Sequence, residues 1–159
     1  MHIERLLLAP RDWVPNNPTI PVRVYRGLRL ADGSVPDATA FEAMFDANGW
    51  PPDWRGSVYD YHHYHSSAHE VLGVYAGSAR LLLGGPGGEA VRVEAGDALM
   101  LPAGTGHCRL EADSAFRVVG AYPTGQEWDV LREAPDAATR ARILGLPVPP
   151  RDPVDGTAF

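Results

Sequence analysis

Over most of the chain, short β-favouring apolar runs alternate with glycine and proline. From Gly56 onward strand-like segments follow one another at short intervals, with turns marked at residues 76–78, 84–88, 95–97 and 102–106. Such spacing predicts an all-β sandwich or barrel. The glycine-rich run 84–88 lacks the Lys-Ser/Thr of a phosphate cradle and precedes the strand-like Val91-Arg92-Val93, so it reads as a hairpin turn. Upstream, strand-like pieces at residues 5–8 and 22–30 flank a proline-rich stretch at 15–18. They either extend the sheets or cross to a partner subunit.

Helical periodicity occurs twice. Phe41, Met44, Phe45 and Asn48 fall on one helical face, with Asp37 placed to cap the N-terminus and Gly49 to stop the helix. This aromatic stripe reads as core packing, and the Trp50-Pro-Pro-Asp-Trp54 segment breaks the helix before the barrel begins. A second helix is predicted over 135–145, with proline at its start and glycine at its end. The last fourteen residues are proline-rich and read as irregular. The expected organisation is one domain over 1–159: an arm at 1–55 with strands and one helix, a barrel core at 56–124, and a helix and irregular tail at 125–159.

Composition narrows the classes. At 159 residues, 45% hydrophobic and 21% charged, the chain has the size and make-up of one soluble domain. A net charge of −6 and the lack of any Lys/Arg-rich run argue against nucleic-acid binding. No apolar run approaches the length of a membrane span, and the opening ten residues have too short an apolar run for a signal peptide. A lone cysteine, Cys108, excludes an intrachain disulfide. A cytoplasmic protein is expected.

The candidate chemistry lies in the histidines. His62, His63, His65 and His69 are four of the six in the chain, and His107 follows in a Gly/Pro-punctuated stretch. In an extended strand His63 and His65 project to the same side about 7 Å apart at Cα. Glu70, after a short Ser-Ser-Ala bend, can add a carboxylate, and His107 can close the set. Neutral imidazoles with one carboxylate suit a divalent first-row metal, and open positions leave room for substrate or dioxygen.

The pattern resembles the two motifs of the cupins. Gly56, His63, His65, Glu70 and Gly77 match the first motif, and Gly96, Pro102, Gly104 and His107 match the second, with Glu111 standing where that motif has asparagine. The resemblance covers residues 56 to 122 closely. The flanks fit only the looser group of small single-domain bacterial cupins of unassigned reaction. It implies a double-stranded β-helix, the jelly-roll barrel, with short flanking helices. It also implies one divalent transition metal, iron, manganese, nickel or zinc, held by His63, His65, Glu70 and His107, and it implies a homodimer. Cupins with this ligand set include dioxygenases, oxalate-type decarboxylases and isomerases. The expected partner is a small-molecule substrate, anionic or phenolic, and the alternative is a noncatalytic barrel that binds or senses a small ligand around a structural metal.

Several residues keep two readings. Tyr59 and Tyr61 share parity with His63 and His65, and either contact substrate or fill one end of the barrel. Arg109 shares parity with His107; it either clamps a substrate carboxylate or, the favoured reading, pairs with Glu111. If the bend after His65 is one residue shorter, His69 replaces Glu70 in the site. His62 has the opposite parity and His2 has no supporting context, so both read as structural or surface residues. Cys108 should face away from the metal and act as a small hydrophobe.

Overall fold

A computed structural model describes residues 1–159. In chain order the elements are β1 (His2–Leu6), β2 (Val22–Arg26), α1 (Ala38–Ala47), β3 (Pro52–Gly56), β4 (Glu70–Ala76), β5 (Ser78–Leu83), β6 (Glu89–Glu94), β7 (Ala98–Leu101), β8 (His107–Ala112), β9 (Arg117–Ala121) and α2 (Ala137–Gly145). A six-stranded sheet runs β1-β2-β7-β4-β9-β3 and a three-stranded sheet runs β6-β5-β8, with all pairings antiparallel. The non-sequential strand order and two-layer packing make this an all-β jelly roll with two short helices.

The strands show why both layers close. Alternate residues of a strand face opposite sides. Leu72 and Val74 of β4, Leu99 and Leu101 of β7, and Val22 and Val24 of β2 join Leu81, Leu83, Val91 and Val93 of the small sheet in one buried cluster. The intervening positions, Tyr25, Val71, Ala98, Met100 and Val119, are buried on the other face beneath Phe41 and Phe45 of α1. A central strand covered on both faces reads as a continuous apolar run, as 98–101 does. α1 lies close to this face because β4 carries Gly73 there: a Cβ at that position would sit 2.6 Å from the Phe41 ring.

The capping expected for α1 is present, with the Asp37 carboxylate accepting from the Ala40 N–H at 2.8 Å. α2 starts two residues later than its proline suggests, because Asp136 is the capping residue and accepts from the Thr139 N–H at 2.7 Å. The 84–88 run is a hairpin turn between β5 and β6. The N-terminal strands pair with each other and, through β2–β7, extend the large sheet within the chain. β2 ends earlier than predicted, at Arg26, where Gly27 turns with φ 62 and its N–H bonds to Asp97. No helix is long and apolar enough to cross a membrane.

Two segments depart from expectation. The Pro-Pro segment after α1 does not merely break the helix; from Pro52 it forms the edge strand β3 against β9, a place where a proline lacking an N–H is tolerated. The tail beyond α2 has no helix and only a single antiparallel bridge, Arg151↔Ala158, yet it is fixed in place. Asp152, 1% exposed, accepts from Arg23 at 2.7 Å, from the Tyr25 hydroxyl, and from the backbone of Val154 and Asp155. The Trp50 indole N–H reaches the Arg151 carbonyl, and Phe159 lies against Trp50.

Candidate metal centre

Residues 57–62 form no strand, so the histidine block is not the regular extended segment that parity assumed. Local pairing restores the geometry. His63 and His107 exchange both backbone hydrogen bonds, at 3.3 and 2.9 Å, which sets their rings 4.0 Å apart by centroid. Tyr64 pairs in the same way with Leu131, turning its own side chain to the opposite side, and His65 returns to the side of His63. The ligand nitrogens of His63, His65 and His107 all lie within 4.8 Å of one another, and all three residues are buried.

Each of these rings is oriented by a main-chain carbonyl. His63 Nδ1 meets Tyr61 O and His107 Nδ1 meets Thr105 O, both at 3.0 Å, and His65 Nδ1 meets Asp129 O. Such contacts place the proton on Nδ1 and leave the Nε2 lone pair free for a cation, the usual outer-shell arrangement of metal-binding histidines. His65 Nε2 is buried and has no hydrogen-bond partner. An unsatisfied buried acceptor is costly unless something occupies it. The donor set and this orphaned nitrogen therefore fit a first-row divalent ion.

Glu70 opens β4, and its oxygens stand 3.3 Å from His65 Nε2 and 3.3 Å from His107 Nε2. Burial raises the carboxyl pKa, but protons on the Nε2 atoms of His65 and His107, the alternative to a cation at those nitrogens, outweigh it through the charge of His65 and the hydrogen bond from His107, and hold Glu70 well below the usual carboxylate range. His63 is driven the other way: burial and the neighbouring His107 lower it to about 3, so its ring is neutral at physiological pH. One register step beyond the Val71↔Ala121 pair, Tyr122 donates its hydroxyl to Glu70 and accepts from the Trp54 indole N–H at 2.9 Å. Trp54 fits over the sheet because the strand beneath it has glycine: a Cβ at Gly120 would lie 2.2 Å from the indole.

The alternative ligand His69 lies elsewhere. It is fully buried, its Nδ1 accepts from the Ala103 N–H at 2.9 Å, and it is outside the three-histidine group. His62 is only partly buried and His2 is exposed, and neither joins the group. Cys108 is buried opposite Leu82 on the far side of β8.

A cavity of about 300 Å³ opens over the three rings and Glu70, walled by Trp54, Tyr59, Tyr122 and Trp128. Tyr59 stands at its rim, 46% exposed. Tyr61 does not line it; the ring is stacked on Tyr59 at 4.8 Å, with the Arg132 guanidinium over it at 3.8 Å. Arg109 does not line it either. The expected Arg109–Glu111 pair is also absent: β8 carries a bulge at Leu110, so Arg109 lies opposite Leu81 while Glu111 lies opposite Arg80. Arg109 donates to Ser57 Oγ at 2.9 Å and Glu111 pairs with Arg80 at 3.2 Å on the surface.

The contributors that the sequence did not point to include Trp54, Tyr122, Trp128 and Asp129. The segment carrying Trp128 and Asp129 is strapped along residues 64–69. Gln126 accepts from the His69 N–H, Asp129 from the Ser66 N–H, and Leu131 pairs with Tyr64. No spacing rule links these stretches, and Tyr122 could have been found only from the β4–β9 register.

No protein-family model matches the chain. It is 37% identical over 145 residues to an uncharacterized protein, YjlB, of Bacillus subtilis, an alignment spanning 90% of this chain and 84% of that protein. Among solved structures it is similar to a DUF861 family protein of Thermotoga maritima, with 18% identity and a TM-score of 0.37 over 55% of this chain and 92% of that one. It is also similar to the 11S allergen of Cocos nucifera, with 16% identity and a TM-score of 0.41 over 91% of this chain and 34% of that one.

Proposed function

This chain belongs to the family of the Bacillus subtilis protein YjlB, and we propose that it is a metal-dependent cupin whose cavity acts on a small molecule. The observation that carries the reading is the trio of buried imidazoles, each turned by a carbonyl on Nδ1 so that Nε2 is left for a cation. His63, His65 and His107 hold the ion, and Glu70 is the fourth ligand, its carboxylate steadied by Tyr122 and, through it, Trp54. A divalent iron, manganese, nickel or zinc ion would supply a Lewis acid with open positions for substrate. The aromatic walls and buried floor put that position at the bottom of a cavity that opens to solvent at its rim. The reactions compatible with this donor set are of dioxygenase, decarboxylase or isomerase type.

Elemental analysis of the untagged protein beside a folded His63→Ala/His65→Ala variant tests the centre. About one metal ion per chain in the parent, lost in the variant, is expected. A parent that neither holds nor reloads any of the four metals refutes the centre. Saturable ligand binding without product, aerobically and anaerobically, would instead make this a binding module.

A further inference from the structure

We infer that the cavity is built for a flat ring carrying oxygen donors and no distal anionic group, a catechol-like or enolic ligand, with Trp128 and Asp53 setting that preference. The inference rests on the metal reading above and adds the ligand class to it.

No lysine or arginine lines the cavity, and its ionisable walls besides the histidines and tyrosines are Asp53 and Glu70. The charge of a divalent ion would be offset by Glu70 beside it and by Asp53 at the rim. The arginines nearest the site are engaged elsewhere: Arg109 donates to Ser57, Arg142 donates to Ser66, and Arg132 lies over the face of Tyr61 outside the cavity. A ligand carboxylate or phosphate away from the metal would lose its hydration and find no cation, which is costly.

Trp128 and Tyr122 lie nearly parallel, 6.0 Å apart at an interplanar angle of 23°, and Trp128 stands edge-on to His65. Trp128 is 41% exposed, so part of its ring is available, and its indole N–H is tied to Asp53 at 2.7 Å across the rim. Aromatic walls favour a planar partner by stacking and edge contacts. An apolar cavity of about 150 Å³ is enough for benzene, so the space here takes one ring with substituents.

The test is calorimetric titration of zinc-loaded protein with catechol and with 3,4-dihydroxybenzoate, which keeps the same two oxygen donors and adds one distal carboxylate. Catechol is expected to bind about tenfold tighter, and Asp53→Asn to narrow the gap. Trp128→Ala is expected to retain zinc and lose about tenfold in catechol affinity, whereas Trp128→Phe keeps most of it. Equal or tighter binding of the dihydroxybenzoate overturns the proposal, as does catechol affinity indifferent to Trp128→Ala. Zinc content and phenol binding to metal-free protein separate the two readings. Rings that bind a protein unable to hold zinc sink the metal centre and spare the aromatic slot. Zinc retained with no ring bound sinks the slot alone.

Discussion

Replacing Asp152 with alanine is expected to lower the unfolding free energy by about 3–5 kcal/mol, the usual cost of removing one partner from a buried ion pair. Four donors converge on this one carboxylate, from Arg23, Tyr25, Val154 and Asp155. The pair is 14% and 2% exposed at its side chains, so water screens it weakly. Burial, then the bond to Asp152, raises Tyr25 above the ordinary phenol range, so the hydroxyl keeps its proton and remains a donor. Without Asp152 the Arg23 guanidinium is left mostly buried and without its carboxylate beneath Phe159, 4.3 Å from its ring, and the tail loses its anchor over Trp50. Asp152→Asn retains an acceptor and is expected to cost less. Urea midpoints of the two variants, with tryptophan fluorescence reporting the uncovering of Trp50, check both. A loss below about 1 kcal/mol for the alanine variant would place the carboxylate among surface pairs of little weight.

The second large effect is at the metal. His107→Ala is expected to weaken zinc binding by more than about 100-fold, beyond the 10–100-fold typical of outer-shell changes. Tyr122→Phe, which removes the hydroxyl from Glu70 but leaves all four donors, should fall within that outer-shell range. His107 matters beyond its own nitrogen because its backbone pairs with His63, but alanine preserves those main-chain bonds, so the loss reports the imidazole. Competition against a chromophoric chelator measures both, with circular dichroism confirming that the barrel persists. An affinity unchanged in His107→Ala would move the centre away from this trio.

The sequence carried some of this geometry and not the rest, for physical reasons. α1 was legible because its cap and its buried Phe41–Phe45 stripe are local. His63, His65, Glu70 and His107 could be singled out because two short motifs put them at fixed offsets, and the structure gathers the three histidines with Glu70 against His65 and His107. Parity arguments failed where the backbone leaves the regular strand. One extra residue at Leu110 sends Glu111 to the solvent face, and the irregular path at 57–62 stacks Tyr61 against Tyr59 and away from the cavity. Asp152, Asp129 and Tyr122 were silent because each acts through a partner more than fifty residues away. Hydrogen bonds of that range leave no periodic trace in the chain.

The pairing of His63 with His107 bears on how the molecule is made. Two of the three imidazoles are near neighbours in sequence, but the third arrives only after β8 has docked on β5, and Glu70 is set by the pairing of β4 with β7 and β9. These are non-local closures, which form slowly and together. An unfolded chain can offer an ion only the His-x-His pair, so metal cannot nucleate this barrel as it does in small zinc domains. An ion would enter a nearly finished sandwich and would tie the segment beside β8 to the start of β4, joining one sheet to the other. The contribution of such an ion would therefore fall on the lifetime of the folded state, through slower unfolding, and would leave the folding rate to the strands.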